Sequence, residues 1–147
     1  MTTIRPIRVF VDSDVIISSI ISNLGASYAL LNTIQQTECY VSNFSIKELE
    51  EVVARLKLER DMLDKVIDTK LITVEINQTY KKVRAEYADY VRDPDDAHIV
   101  AGAKEAKASF LLSYNVRHFN AEKLRQDFQI VLLTPGLFLQ YLRSLSP

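Results

Sequence analysis

Short apolar, β-branched stretches recur along this chain, and several stop at polar residues that favour the start of a helix. The first is Ile7-Arg8-Val9-Phe10-Val11, which ends at Asp12-Ser13-Asp14. β-Branched and aromatic side chains suit a strand, and Asp or Ser suits a helix N-cap, so this segment reads as a strand feeding a helix. Residues 26–36 repeat apolar positions at helical spacing (Tyr28, Leu31, Ile34) after Gly25, and Cys39-Tyr40-Val41 reads as a second strand. Residues 45–58 carry Ile46, Leu49, Val52, Val53 and Leu56 on one stripe, and a further helix is expected over 60–68. Leu71-Ile72-Thr73-Val74 has strand composition, and residues 77–90 return to helical periodicity. Asp93-Pro94-Asp95-Asp96 opens the next helix, to about residue 106, because Asp at the cap and Pro at the first helical position are preferred there. Phe110-Leu111-Leu112 reads as a buried strand, 121–127 as a short helix and 129–133 as a last strand before Pro135 opens a C-terminal helix. Strands alternating with helices imply an α/β fold whose mostly parallel central sheet, of four or five strands, is covered on both faces.

The 147 residues are expected to form a single domain over 1–147, large enough to bury a core without disulfides. Lys and Arg number 18 against 19 Asp and Glu, which removes the global positive field of a protein that coats nucleic acid by charge alone. A nucleic-acid substrate must then be held by a local patch. Cys39 is the sole cysteine, which excludes an intramolecular disulfide and a Cys-based zinc site, and His98 and His118 are too few for a His-rich centre. The N-terminal residues lack the apolar stretch of a signal peptide, and the longest apolar runs fall far short of the about 20 residues that span a bilayer. A cytoplasmic protein with no membrane association is expected.

In such folds the functional crevice lies beyond the carboxyl ends of the strands. The polar residues placed there are Asp12, Ser13 and Asp14, then Ser42 and Asn43, then Ser113 and Asn115. Asp12, Glu48, Asp93, Asp95 and Asp96 come from three separate regions, each at or near an expected helix start. Unpaired carboxylates within ~4 Å repel by about 1 kcal/mol in water and several times more where partly buried, so such a cluster calls for a cation. Hard divalent ions take oxygen ligands, and metal-assisted phosphodiester hydrolysis fits that chemistry. Taken singly, each acid also has a structural reading. Ser45-Ile46-Lys47-Glu48 has the form of a capping box, Asp93 that of an N-cap, and Asp95 and Asp96 that of charges favouring a helix dipole.

The joint pattern resembles the PIN domain family, and within it the VapC-like toxins of toxin–antitoxin pairs. Phe10-Val11-Asp12-Ser13-Asp14 resembles the opening strand with its first acid, and Ser45-Ile46-Lys47-Glu48-Leu49 the second acidic motif. Asp96-Ala97-His98-Ile99-Val100-Ala101-Gly102-Ala103 resembles the third, and Leu111-Leu112-Ser113-Tyr114-Asn115 the fourth. The resemblance implies a three-layer α/β/α fold and a Mg²⁺- or Mn²⁺-dependent single-stranded ribonuclease. It further implies a protein antitoxin as partner and a homodimer. Asp12, Glu48 and Asp96 would hold the metal or its waters, Asp14 would line the pocket and Asn115 would occupy the fourth position. There an amide replaces a carboxylate, offering a carbonyl oxygen without charge. Asp93 and Asp95 compete with Asp96 for the third place. Ser113 is a candidate donor to a phosphate or to a ligand carboxylate, and Arg92, Arg117 and His118 are candidates for RNA phosphate contacts. His98 reads as a packed side chain, and Tyr80, Tyr87 and Tyr90 as core or dimer surface. The same residues are compatible with an RNA-processing or DNA nuclease outside any toxin–antitoxin pair. They are also compatible with a catalytically weak binding module, or with a Mg²⁺-binding domain of flavodoxin or response-regulator type.

Overall fold

The computed structural model describes residues 5–145; residues 1–4, within the N-terminal stretch read above as lacking a signal peptide, and residues 146–147 lie outside the description. The chain runs β1 (Ile7–Val11), α1 (Ser13–Ile21), α2 (Ala26–Asn32), β2 (Thr37–Ser42), α3 (Asn43–Arg55), α4 (Arg60–Lys70) and β3 (Ile72–Val74). It continues through α5 (Tyr80–Tyr87), α6 (Ala97–Glu105), β4 (Phe110–Leu112), α7 (Ala121–Phe128), β5 (Val131–Leu133) and α8 (Pro135–Ser144). Short 3₁₀ turns occupy Ala88–Tyr90, Pro94–Asp96 and Val116–His118. All five strands are parallel, in the order β3-β2-β1-β4-β5.

Alternation along the strands divides the interior into two cores. Val9 and Val11, Cys39 and Val41, and Phe110 and Leu112 face one side, where they join α1, α2, α3, α4 and α8 through residues such as Ile16, Leu30, Leu49, Leu63 and Phe138. Phe10, Tyr40 and Leu111 face the other, against Val83, Tyr87, Ile99, Val100 and Leu124 of α5, α6 and α7. The sheet is thus sandwiched between two helical layers, as the alternation of strands and helices implies. Among the described residues no single helix is long and apolar enough to cross a bilayer.

Several element boundaries differ from the sequence reading, each for a local reason. α2 stops at Asn32 rather than near residue 36, because β2 begins at Thr37, opposite Ile7. α3 starts at Asn43, two residues before the expected start, because Ser42 rather than Ser45 is the cap: the Ser42 hydroxyl accepts from the Ser45 amide at 3.1 Å. The expected helix over 77–90 is shortened by the Thr79 cap and tightens into a 3₁₀ turn after Tyr87. The expected helix from Asp93 is a 3₁₀ turn over Pro94–Asp96 that passes into α6. Gln129 adopts a left-handed conformation (φ 56°) that ends α7, so β5 begins only at Val131.

α6 packs against β1 at a position that excludes any side chain. A Cβ on Gly102 would enter the Phe10 ring, 2.6 Å from Cε2, whereas Gly136 near the start of α8 has nothing within 4 Å of such an atom. Overpacking a close-packed core costs about 1–3 kcal/mol. Gly102→Ala is therefore expected to lower the melting temperature by several degrees in a thermal scan. Gly136→Ala, which gains helix propensity without a clash, is expected to leave it unchanged or raise it.

Candidate active site

β1 and β4 are neighbours in the sheet, and the chain leaves them toward opposite edges, β2 and β3 on one side and β5 on the other. That reversal opens a crevice at their carboxyl ends. The first residue beyond β1 is Asp12 and the first beyond β4 is Ser113. The Asp12 amide donates to the Leu112 carbonyl at 2.9 Å, extending the β1–β4 pairing to the rim. Asp12 caps α1, its Oδ1 accepting from the Ser13 amide at 2.7 Å, while its Oδ2 accepts from the buried Ser113 hydroxyl at 2.8 Å. In the first turn of α1, Asp14 Oδ2 accepts from the Tyr114 amide and from Asn115 Nδ2, both at 3.0 Å. A carboxylate only accepts, so Asn115 turns its NH₂ toward Asp14 and its carbonyl oxygen away. Asp14 Oδ1 is buried with no partner among the described residues.

Glu48 reaches the rim from α3. Its Oε2 lies 2.9 Å from Nε2 of His98 on α6, while the helix cap is formed by Ser42, so Glu48 is not the far half of a capping box. The three acids of the Asp93–Asp96 run separate into different environments. Asp93 caps its own 3₁₀ turn, accepting from the Asp95 amide at 3.0 Å. Asp95 lines the same cleft as Glu48 and Asp96 but is tied to Arg84 at 2.8 Å and to the Tyr80 hydroxyl at 2.9 Å. Asp96 makes no cap bond, lies 3.8 Å from Nδ1 of His118, and is electrostatically coupled to Glu48.

Four carboxylates, those of Asp12, Asp14, Glu48 and Asp96, thus share one rim without a Lys or Arg nitrogen within 4.0 Å of any of them among the described residues. The charge shows in their acidities. Burial, with Asp14 and Glu48 nearby, raises Asp12 from its ordinary 3.8 to about 7. Burial raises Asp14 against the backbone amides that bond it, and burial with Asp93 and Glu48 raises Asp96. Glu48 is lowered, because the hydrogen bond from His98 outweighs burial. No three Asp, Glu, His or Cys side chains among the described residues are already drawn together as an ion cage. Asp12, Asp14 and Glu48 are instead each held by their own hydrogen bonds around an open rim, with Asp96 beside His118. Two clefts meet at Glu48. One, of about 490 Å³, includes Ser13, Asp14, Val52 and Arg55, and the other, of about 540 Å³, includes Phe44, Lys47, Asp96 and His98. A larger groove of about 740 Å³, with Arg5, Arg8 and Lys107, lies at the opposite end of the sheet and contains none of these acids.

Arg92 and Arg117 are exposed beside this rim, on segments joined where the Arg92 amide donates to the His118 carbonyl at 2.9 Å. Tyr87 is buried in the core, Tyr90 hydrogen-bonds Asp127, and exposed Tyr80 serves Asp95. Sequence reasoning missed the bond between His98 and Glu48, the Tyr114 amide on Asp14, and the positions of Lys47 and Arg55 along the clefts. The last two lie one residue before and seven after Glu48, so helical spacing alone could have placed Arg55 near its face.

The sequence matches the PIN domain family over residues 8–117. No curated protein matches it significantly. Among solved structures, VapBC2 from Rickettsia felis, bound to a DNA fragment from their promoter, superimposes with a TM-score of 0.58 at 15% identity, covering 87% of this chain and 98% of that one. FitAB bound to an IR36 DNA fragment superimposes with a TM-score of 0.56 at 14% identity, covering 86% of this chain and 94% of that one. The acidic rim lies at the end of the sheet where four motif segments of the matched region converge, and the chain belongs to the PIN domain family.

Proposed function

We propose that this chain is a divalent-metal-dependent endoribonuclease, the toxin of a toxin–antitoxin pair, with its site at Asp12, Glu48 and Asp96. The observation that carries the reading is the group of four rim carboxylates with no ammonium or guanidinium in contact among the described residues. Excess negative charge of that kind is costly unless a cation enters. The donor set fits Mg²⁺ or Mn²⁺: all oxygen, with an unpartnered buried oxygen on Asp14, and Asp12, Asp14 and Glu48 already oriented by hydrogen bonds. Such an ion would supply a Lewis acid and an activated water for attack on a phosphodiester. Fold likeness to VapBC2 and FitAB, together with family membership, supports the toxin reading and with it an antitoxin partner and a homodimer.

The chain's own residues divide the work. Asp12, Glu48 and Asp96 would hold the ion, Asp12 in its deprotonated form. Ser113 fixes one Asp12 oxygen, and Asn115 clamps Asp14 through its amide, a structural duty in place of a fourth charge. Lys47 and Arg55 along the clefts, with exposed Arg92, Arg117 and His118, meet RNA phosphates on either side of the acids. Since this patch is local and the net charge is −1, binding is expected to weaken with salt less steeply than for a strongly basic protein.

Two measurements test this reading. In cleavage of a labelled single-stranded RNA with Mg²⁺ or Mn²⁺, Asp12→Asn is expected to lose about 100-fold or more of the rate, since several kcal/mol of charge stabilisation are at stake at 1.36 kcal/mol per tenfold. Asp95→Asn, at an exposed ion pair, is expected to stay within about 3-fold, and equal losses in both variants would contradict the assignment. The second measurement is stability against pH without metal. Folded Asp12 holds its proton to about 7 while the unfolded chain releases it near 3.8, so its contribution to stability is complete below pH 3.8 and lost as pH rises through 7. The melting temperature of Asp12→Asn relative to wild type is expected to climb over that window, and added Mg²⁺ to stabilise wild type more at pH 8 than at pH 5.

A further inference from the structure

His98 stands in an unusual setting for a polar side chain. It lies on α6 between Ala97 and Ile99, in a helix stretch buried from Ala97 to Ala103, and is itself 4% exposed. Phe44 meets its ring edge-on at a centroid distance of 6.3 Å. One ring nitrogen, Nε2, lies 2.9 Å from Glu48 Oε2; the other, Nδ1, is buried with no partner among the described residues. A carboxylate cannot donate, so Nε2 carries a proton and gives it to Glu48. The bond orients the Glu48 carboxylate from inside α6.

A residue chosen only to fill this space would be apolar. Leu would fit the surrounding stretch and leave no orphaned nitrogen, so the return on the imidazole is its single bond to Glu48. That bond adds a polar tie to the packing of Phe44 on His98 between the two helices, α3 carrying Glu48 and α6 following directly from Asp96. We propose that His98 is a positioning residue that fixes Glu48 at the distance from Asp96 required for divalent-ion binding, through Nε2–H alone. The inference rests on the metal-dependent reading above. Residues that hold a ligating carboxylate in place change metal affinity by about 10–100-fold when removed.

The geometry makes the test selective, because the side-chain nitrogen of Gln falls near Nε2 of His and that of Asn near Nδ1. Affinity for Mn²⁺ would be titrated by electron paramagnetic resonance on the full chain, for wild type, His98→Gln, His98→Asn and His98→Leu, with melting temperatures measured alongside. Gln is expected to stay within about 3-fold of wild type, while Asn and Leu weaken Mn²⁺ by about 10-fold or more. Leu is expected to do so without loss of thermal stability. Ring ¹⁵N spectra of the metal-free wild type are expected to show Nε2 protonated and hydrogen-bonded. Gln no better than Leu, or affinity that merely tracks melting temperature, would overturn the positioning role and leave the nuclease reading intact. Absence of Mn²⁺ binding in the wild type itself would overturn both.

Discussion

Negative charge gathered at the seam between β1 and β4, unopposed by any ammonium or guanidinium in contact among the described residues, is the condition the rest of this molecule accommodates. Parallel pairing of β1 with β4 brings Asp12 against Ser113 across 101 residues of sequence, and the helix capped by Asp12 adds Asp14 within its first turn. α3 and α6 then deliver Glu48 and Asp96 from opposite layers of the sandwich. Repulsion among these groups disfavours the ion-free fold, and the two apolar cores on either face of the sheet hold it against that repulsion. Asp12, Asp14 and Asp96 are weaker acids than usual chiefly because they are buried, with neighbouring carboxylates adding to the effect at Asp12 and Asp96.

Basic groups are present in nearly equal number to acids across the chain, but they are kept apart from this seam. Arg84 is spent on Asp95 and Arg60 on Glu50 and Asp64, each away from the four rim carboxylates. Lys47, Arg55, Arg92 and Arg117 stand around the acids at a remove. A near-neutral chain thereby carries a local field of one sign, flanked by groups of the other. That separation suits a polyanionic substrate approaching through a bound cation better than either an all-basic or an all-acidic surface would.

What the sequence made legible was what local rules govern. A β-branched run ending at Asp12 announces both a strand and its cap, and alternating segments announce a layered parallel sheet, so the architecture and the first acid follow from neighbours in sequence. The rest turns on contacts across the chain. Ser42, Ser45 and Glu48 repeat at intervals of three, and either serine suits a cap; only the packing of β2 shows that Ser42 takes the role and that Glu48 is released to meet His98, 50 residues away. Likewise Asp93, Asp95 and Asp96 are near equivalents in sequence. One turn of 3₁₀ geometry, with Tyr80 and Arg84 waiting on α5, pairs Asp95 with those two residues and leaves Asp96 without a cation of its own. Asn115 was legible as a residue of the rim, though its amide serves as the clamp on Asp14.

The central claim is that this seam is a cation site. Crystals grown with Mn²⁺ and measured at a wavelength where manganese scatters anomalously test it most directly. The account predicts an anomalous peak bounded by the carboxylates of Asp12, Glu48 and Asp96. Crystals saturated with Mn²⁺ that show no peak there, or a peak only elsewhere on the surface, would contradict it.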